Sequence, residues 1–156
     1  MKRITSMAVL GLVPVLVATV LWVRTLEFAV DSVLHNRPLM LQAYLLAGGD
    51  PNAQTPHGPL AYLATGPNGG EQVLDVLLKQ GADPNIRFNG ETPLMNAASW
   101  CALNLVQLLV QAGADLDLRN DRGQSAVDSV CSGPEYLSNL TIAYLRTAMA
   151  ARRQPK

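Results

Sequence analysis

The chain has 156 residues, 49% of them apolar and 15% charged, which suits one compact domain with a core of its own. Twelve basic residues balance twelve acidic ones, so the bulk positive charge of a nucleic-acid binder is excluded. The balance hides a segregation. Glu27 to Leu145 carries five basic and all twelve acidic residues, a net −7, whereas the last eleven residues hold Arg146, Arg152, Arg153 and Lys156 with no acid. Charge blocks of this kind are ordinarily solvated faces; read functionally, the acidic body suits a protein partner with a basic surface.

The chain opens on Met1-Lys2-Arg3, followed by an uncharged apolar run from Ile4 to Val23. As a helix, 20 residues span roughly 30 Å at ~1.5 Å per residue, the thickness of a bilayer core. Pro14 is tolerable in such a helix. A cleaved signal peptide is the competing reading, with an apolar stretch of ~7–15 residues ending in small residues. Here the run ends in Val20-Leu21-Trp22-Val23-Arg24, without a credible cleavage site. Residues 1–24 are therefore expected to be an uncleaved signal-anchor. Lys2 and Arg3 before the run outweigh Arg24, which Glu27 offsets, so the rest of the chain is expected outside the cytoplasm. The residue style reads as bacterial, which puts the domain in the periplasm on a single-pass inner-membrane anchor; cleavage would release it there.

Next comes internal repetition. Gly48-Gly49-Asp50-Pro51-Asn52 returns as Gly81-Ala82-Asp83-Pro84-Asn85 and as Gly113-Ala114-Asp115-Leu116-Asp117. Each copy follows an apolar helical run: Leu41 to Leu46, Val73 to Leu78 and Leu105 to Val110. Gly48, Gly81 and Gly113 are placed to end those helices in the left-handed conformation. Thr92 and Ser125 are placed to cap the starts of the following helices, with Pro93 in a first turn. Leu94, Ala97 and Ala98 then face neighbouring helices. The Gly/Pro-rich stretch Gly66-Pro67-Asn68-Gly69-Gly70 is a loop, and Ser132-Gly133-Pro134 breaks the last unit before a long helix from Glu135 to about Ala151.

Gly90-Glu91-Thr92-Pro93-Leu94-Met95-Asn96-Ala97-Ala98, then Leu105-Val106-Gln107-Leu108-Leu109, then the Gly113 to Asp117 segment, resemble the ankyrin repeat. The resemblance covers about residues 27–146. It implies an all-α solenoid of stacked helix-turn-helix units with short hairpin loops, preceded here by one transmembrane helix. The expected domains are the anchor (1–24), about four units (25–148) and a basic tail (149–156). The units are 27–49, degenerate, then 50–82, 83–115 and 116–148. Departures are plain: the family's His after Thr-Pro-Leu is Met95, Ala61 or Asp128 here, so its hydrogen-bond ladder is missing, and the turn Gly between helices is Cys101.

No catalytic motif is present. His35 and His57, the only histidines, fall in different units, which argues against a metal site or triad, and Gly66 to Gly70 lacks the Lys-Ser/Thr of a phosphate loop. No cofactor or small-molecule substrate is implied. Cys101 and Cys131 could bridge in an oxidising compartment. The resemblance instead puts Cys131 where the family has a small buried Ala, which reads as core. The resemblance implies partner contacts on the loop tips and first helices: Phe88, Asn89 and Glu91 on one finger, Ser99 and Trp100 on the palm, and Asp121, Arg122 and Gln124 on the next finger. The expected function is non-catalytic protein binding, as a membrane-tethered adaptor or regulator of a periplasmic protein. The alternative is an immunity protein that neutralises a toxin delivered to the periplasm.

Overall fold

The computed structural model describes residues 25–153 together with Leu21. The anchor expected over residues 4–23 lies outside the described residues, Leu21 excepted. Among the described residues no helix is long and apolar enough to cross a membrane.

The elements are α1 (Leu26–Leu34), α2 (Pro38–Leu46), β1 (Gln54–Thr55), β2 (Gly58–Pro59), α3 (Leu60–Ala64), α4 (Glu71–Lys79), α5 (Pro93–Ser99), α6 (Leu103–Gln111) and α7 (Glu135–Arg153). They form two layers. The inner layer stacks α1, α3 and α5; the outer layer stacks α2, α4, α6 and α7, and each unit's two helices also pack on each other. Leu41, Leu60, Leu74, Leu77, Leu94, Val106 and Leu109 are fully buried between the layers. Ala61, Ala64, Ala97 and Ala98 are buried as well, and these small side chains let the inner helices approach closely.

Local signals explain the element ends. The hydroxyls of Thr25 and Thr92 accept from the amides of Phe28 (3.3 Å) and Met95 (3.3 Å), capping α1 and α5. Gly48, Gly81 and Gly113 have φ of 90°, 88° and 92°. Behind the last two, the amides of Ala82 and Ala114 bond back to Leu77 and Leu109 at 2.9 Å, closing the outer helices in Schellman turns. Cys101 stands at φ 51° in the turn between α5 and α6, and Asn36 at φ 48° between α1 and α2. A left-handed residue is thus needed where the family would place glycine.

A side-chain ladder along the loops sets the stacking register. Asp50 and Asp83 each accept from the amide two residues on, at 2.8 Å. The Asn52 carboxamide accepts from the Asp83 amide (2.7 Å), and that of Asn85 from the Asp115 amide (2.6 Å). In the third copy the residue is Asp117, and its carboxylate takes Arg153 from α7 at 3.3 Å. A second cross-unit link replaces the missing histidines: Asn96 donates to the Thr65 hydroxyl (3.0 Å) and the Tyr62 carbonyl (3.2 Å).

The last unit corrects two expectations. Ser125 does not start a helix. Its amide and hydroxyl both donate to Asp128 (2.9 and 2.7 Å), which locks a single turn and holds the Asp128 carboxyl below its ordinary range. Residues 126–129 are turn, and among the described residues no inner-layer helix follows α5. Cys131 is not an unbridged core residue: it forms a disulfide with Cys101 (Cα–Cα 5.5 Å), and its amide donates to the Ala98 carbonyl at 3.2 Å. Bridge and hydrogen bond together fasten the shortened unit to the end of α5. The helix α7 then runs to Arg153, and Arg152 donates to the carbonyls of Ala114 (2.9 Å) and Val110 (3.4 Å). Arg152 therefore caps the end of α6 and Arg153 clasps Asp117, so this part of the expected tail packs on the stack.

Candidate functional site

The inner layer and the loop tips form the candidate interface. Asn89 and Gly90 both have positive φ (50° and 79°), which gives Phe88 to Glu91 a tight two-residue hairpin; Phe88 and Glu91 exchange backbone hydrogen bonds at 2.9 and 3.0 Å. Asn89 is exposed at its tip. The next finger is built by Asn120, whose carboxamide accepts from the amides of Arg122 (3.0 Å) and Gln124 (2.9 Å) and donates to the Gln124 side chain (3.3 Å). The two fingers sit close: a Cβ at Gly90 would run into the Asp121 carboxylate. Arg87 ties them together, donating to the carbonyls of Gly90 and Arg119, both at 3.0 Å.

Behind the fingers, Trp100 ends α5 with 55% of its surface exposed. It lines a cleft of about 200 Å³ with Leu34, Tyr62, Leu63, Asn96 and the Gly66-Pro67-Asn68 insert. The cleft thus draws on each of the first three units. Ser99 is exposed, with its hydroxyl donating to the Asn96 carbonyl at 2.8 Å. A second cleft of about 490 Å³ lies between the first unit and the β1–β2 hairpin of the second, where Leu26, Val30, Leu34 and Pro56 form the walls and Glu27, Asp31, His35 and His57 the rim. The two histidines share that rim, yet among the described residues no cluster of three or more His, Cys, Asp or Glu could hold a metal ion.

Two residues behave differently from their sequence reading. Phe88 is half-buried, its ring 5.2 Å from that of Tyr62 at a tilt of 58°, so it serves as a buttress for the cleft wall. Glu91 accepts from the Tyr62 hydroxyl at 3.2 Å. Burial, reinforced by the Glu91 charge and that bond, pushes the Tyr62 phenol up to about 12. Tyr62, Asn96 and Leu34 escaped the sequence reading. The signal that could have found them is the period itself, since Tyr62 occupies in its unit the place that Asn96 holds in the next.

A family model of ankyrin repeats, in three copies, matches residues 27–120. The chain is 36% identical over 129 residues to ankyrin repeat domain-containing protein 37 of Bos taurus, an alignment covering 81% of this chain and 77% of that one. It is 33% identical over 89 residues to the E3 ubiquitin-protein ligase KEG of Arabidopsis thaliana, covering 56% of this chain but only 6% of the ligase. It is 34% identical over 113 residues to a putative palmitoyltransferase, ZDHHC13, of Danio rerio, covering 67% and 16%. All three relatives are eukaryotic and speak for the repeats, so they lend nothing to the bacterial reading. The chain spans a small fraction of the two relatives named as enzymes, whose activities do not transfer with the repeats.

Proposed function

The chain belongs to the ankyrin-repeat family, a generally non-catalytic protein-interaction fold, and we propose that it is a membrane-tethered adaptor or regulator that holds a protein with a basic surface. One observation carries the binding face: Trp100, 55% exposed, stands in a cleft assembled from three units behind the two fingers. A large aromatic at the centre of a concave patch is the kind of anchor that dominates interface energetics. Asp121 is exposed on its finger, and the body between Glu27 and Leu145 carries −7, which suits a basic partner.

The tether rests on the uncharged run at 4–23 and the placement outside the cytoplasm on Lys2 and Arg3. The Cys101–Cys131 bridge supports that placement, because disulfides persist in oxidising compartments. A periplasmic immunity protein is the second reading, favoured by the small size and acidic body. Capture of partners by the 24–156 fragment, compared with its Trp100→Ala variant, tests the binding face. A basic partner retained by the wild type and lost by the variant supports it; equal capture by both defeats it. Neutralisation of a captured toxin would decide for immunity.

A further inference from the structure

We infer that the outer face of α2 docks on the lipid surface beside the proposed tether, so that the first unit lies against the bilayer; this rests on the membrane reading above.

The terminal helix of a repeat stack has one face with no neighbour, and that face must ordinarily be polar. In α2 it is not. Leu39 is 78% exposed and Leu46 79%, and half-exposed Met40 flanks them. Leu39, Ala43 and Leu46 fall on one helical face, opposite Leu41 and Tyr44, which are buried. The helix contains no charged residue, and from Ser32 to Gly49 the chain has no carboxylate although the body carries twelve. Of the acids that flank the helix, Asp31 is paired with Arg37 at 3.1 Å, while Glu27 and Asp50 are exposed. The α2 face therefore sets no charge of its own against lipid headgroups.

Chain connectivity brings the same face to the membrane. The apolar run ends at Val23 and α1 begins at Leu26, so the start of α1 lies within ~10 Å of the end of the run, at no more than ~3.6 Å per residue. A three-residue turn then reverses the chain into α2, which returns Leu46 to the tethered end. A stripe of exposed leucines held this near the headgroups buries its apolar face into the interface as a surface-lying helix does.

The test uses the full chain reconstituted in vesicles of phosphatidylcholine and phosphatidylglycerol. Leu39→Cys, Leu46→Cys and Arg146→Cys are each labelled with an environment-sensitive fluorophore, the native cysteines being bridged. Arg146 is exposed on α7, three outer-layer steps from α2 and so roughly 25–30 Å away at 8–10 Å per helix pair. Flotation of the protein with the vesicles reads the tether by itself. The docking predicts loss of most of the emission at 39 and 46 when the lipids carry shallow nitroxides, with little loss at 146. Flotation with equal, weak quenching at all three sites overturns the docking and leaves the tether standing. Labels at 39 and 46 shielded from aqueous iodide, insensitive to nitroxide lipid and accompanied by a doubled mass would assign the face to a second copy and overturn the docking too. Failure to float removes the tether and the docking with it.

Discussion

Replacing Cys101 and Cys131 by serine should separate the last unit from the others. The bridge closes a loop with a sequence separation of 30. Loop-closure entropy for that length corresponds to about 3.5–4 kcal/mol of stability. For a domain of this size the same loss lowers the melting temperature on the order of 15 °C. The bridge is also local in effect. The turn at 126–129 stands where an inner helix would give several buried side chains, and Ala126 is the one fully buried there. What else holds the segment is the Cys131 amide on Ala98, the packing of α7 on α6, and the bonds of Arg152 and Arg153 to Ala114, Val110 and Asp117. Hydrogen exchange should therefore rise first in residues 125–153, while α1 to α5 keep their protection, as expected for a stack of nearest-neighbour units. Urea melts of the wild type, the wild type with reductant and the double variant measure the loss, and the last two should coincide. A change below about 1 kcal/mol would refute the entropy argument. Uniform loss of protection along the whole chain would refute the claim that the bridge acts on one unit.

Other outcomes follow from buried or engaged groups. Ala98→Arg or Leu109→Asp should unfold the domain, because both sites are fully buried and an unpaired charge there costs several kcal/mol; an unchanged melt would mean the repeat register is wrong. Trp100→Ala should cost ~2 kcal/mol or more in partner affinity, mainly through faster dissociation, with the melt unchanged; added salt should slow association of the wild type. The Tyr62 phenol should titrate near pH 12 by ultraviolet absorbance. Its folded value lies above the ordinary ~10, so its contribution to stability is whole below pH ~10 and is lost as pH rises through about 12. Glu91→Gln should bring that titration down, and no movement would show that burial alone sets it. Arg152→Ala should lower the melting temperature by a few degrees through the freed carbonyls of Val110 and Ala114, whereas unchanged stability would mean those bonds are surface decoration.

The repeating core was legible because each of its signals is local. The glycines at 48, 81 and 113, the Thr92-Pro93 cap and the small alanines act on neighbours within a turn or two, and the structure uses each as its chemistry suggests. The features that escaped depend on one unit meeting the next. The Phe88 ring and the Tyr62 ring belong to adjacent units, and nothing in Phe88's own surroundings in sequence distinguishes a buttress from an exposed anchor. Cys101 and Cys131 lie nearly one repeat period apart, which places them at neighbouring sites in a stack, but the family pattern for position 131 outweighed that spacing. The missing fourth inner helix was hidden for the opposite reason. Ser125 and Asp128 look like a helix start, and only the break at Ser132-Gly133-Pro134 tells that the lock closes on one turn.

The loop ladder has a directional grammar. Asn52 and Asn85 each hand the chain on, since a carboxamide can accept the next unit's amide while donating elsewhere, as Asn52 does to the Gly81 carbonyl at 3.3 Å. Asp117 keeps the accepting oxygens but loses the donor, and those oxygens are taken up by Arg153, so it works as a stop codon for stacking. Growth of this molecule by duplication is therefore permitted at one address and refused at another. A second copy of 83–115 spliced after residue 115 finds Asn85 waiting upstream and carries its own asparagine to receive the unit that follows. The same insert placed after 116–148 meets an aspartate already clasped by arginine and a long helix lying across the exit.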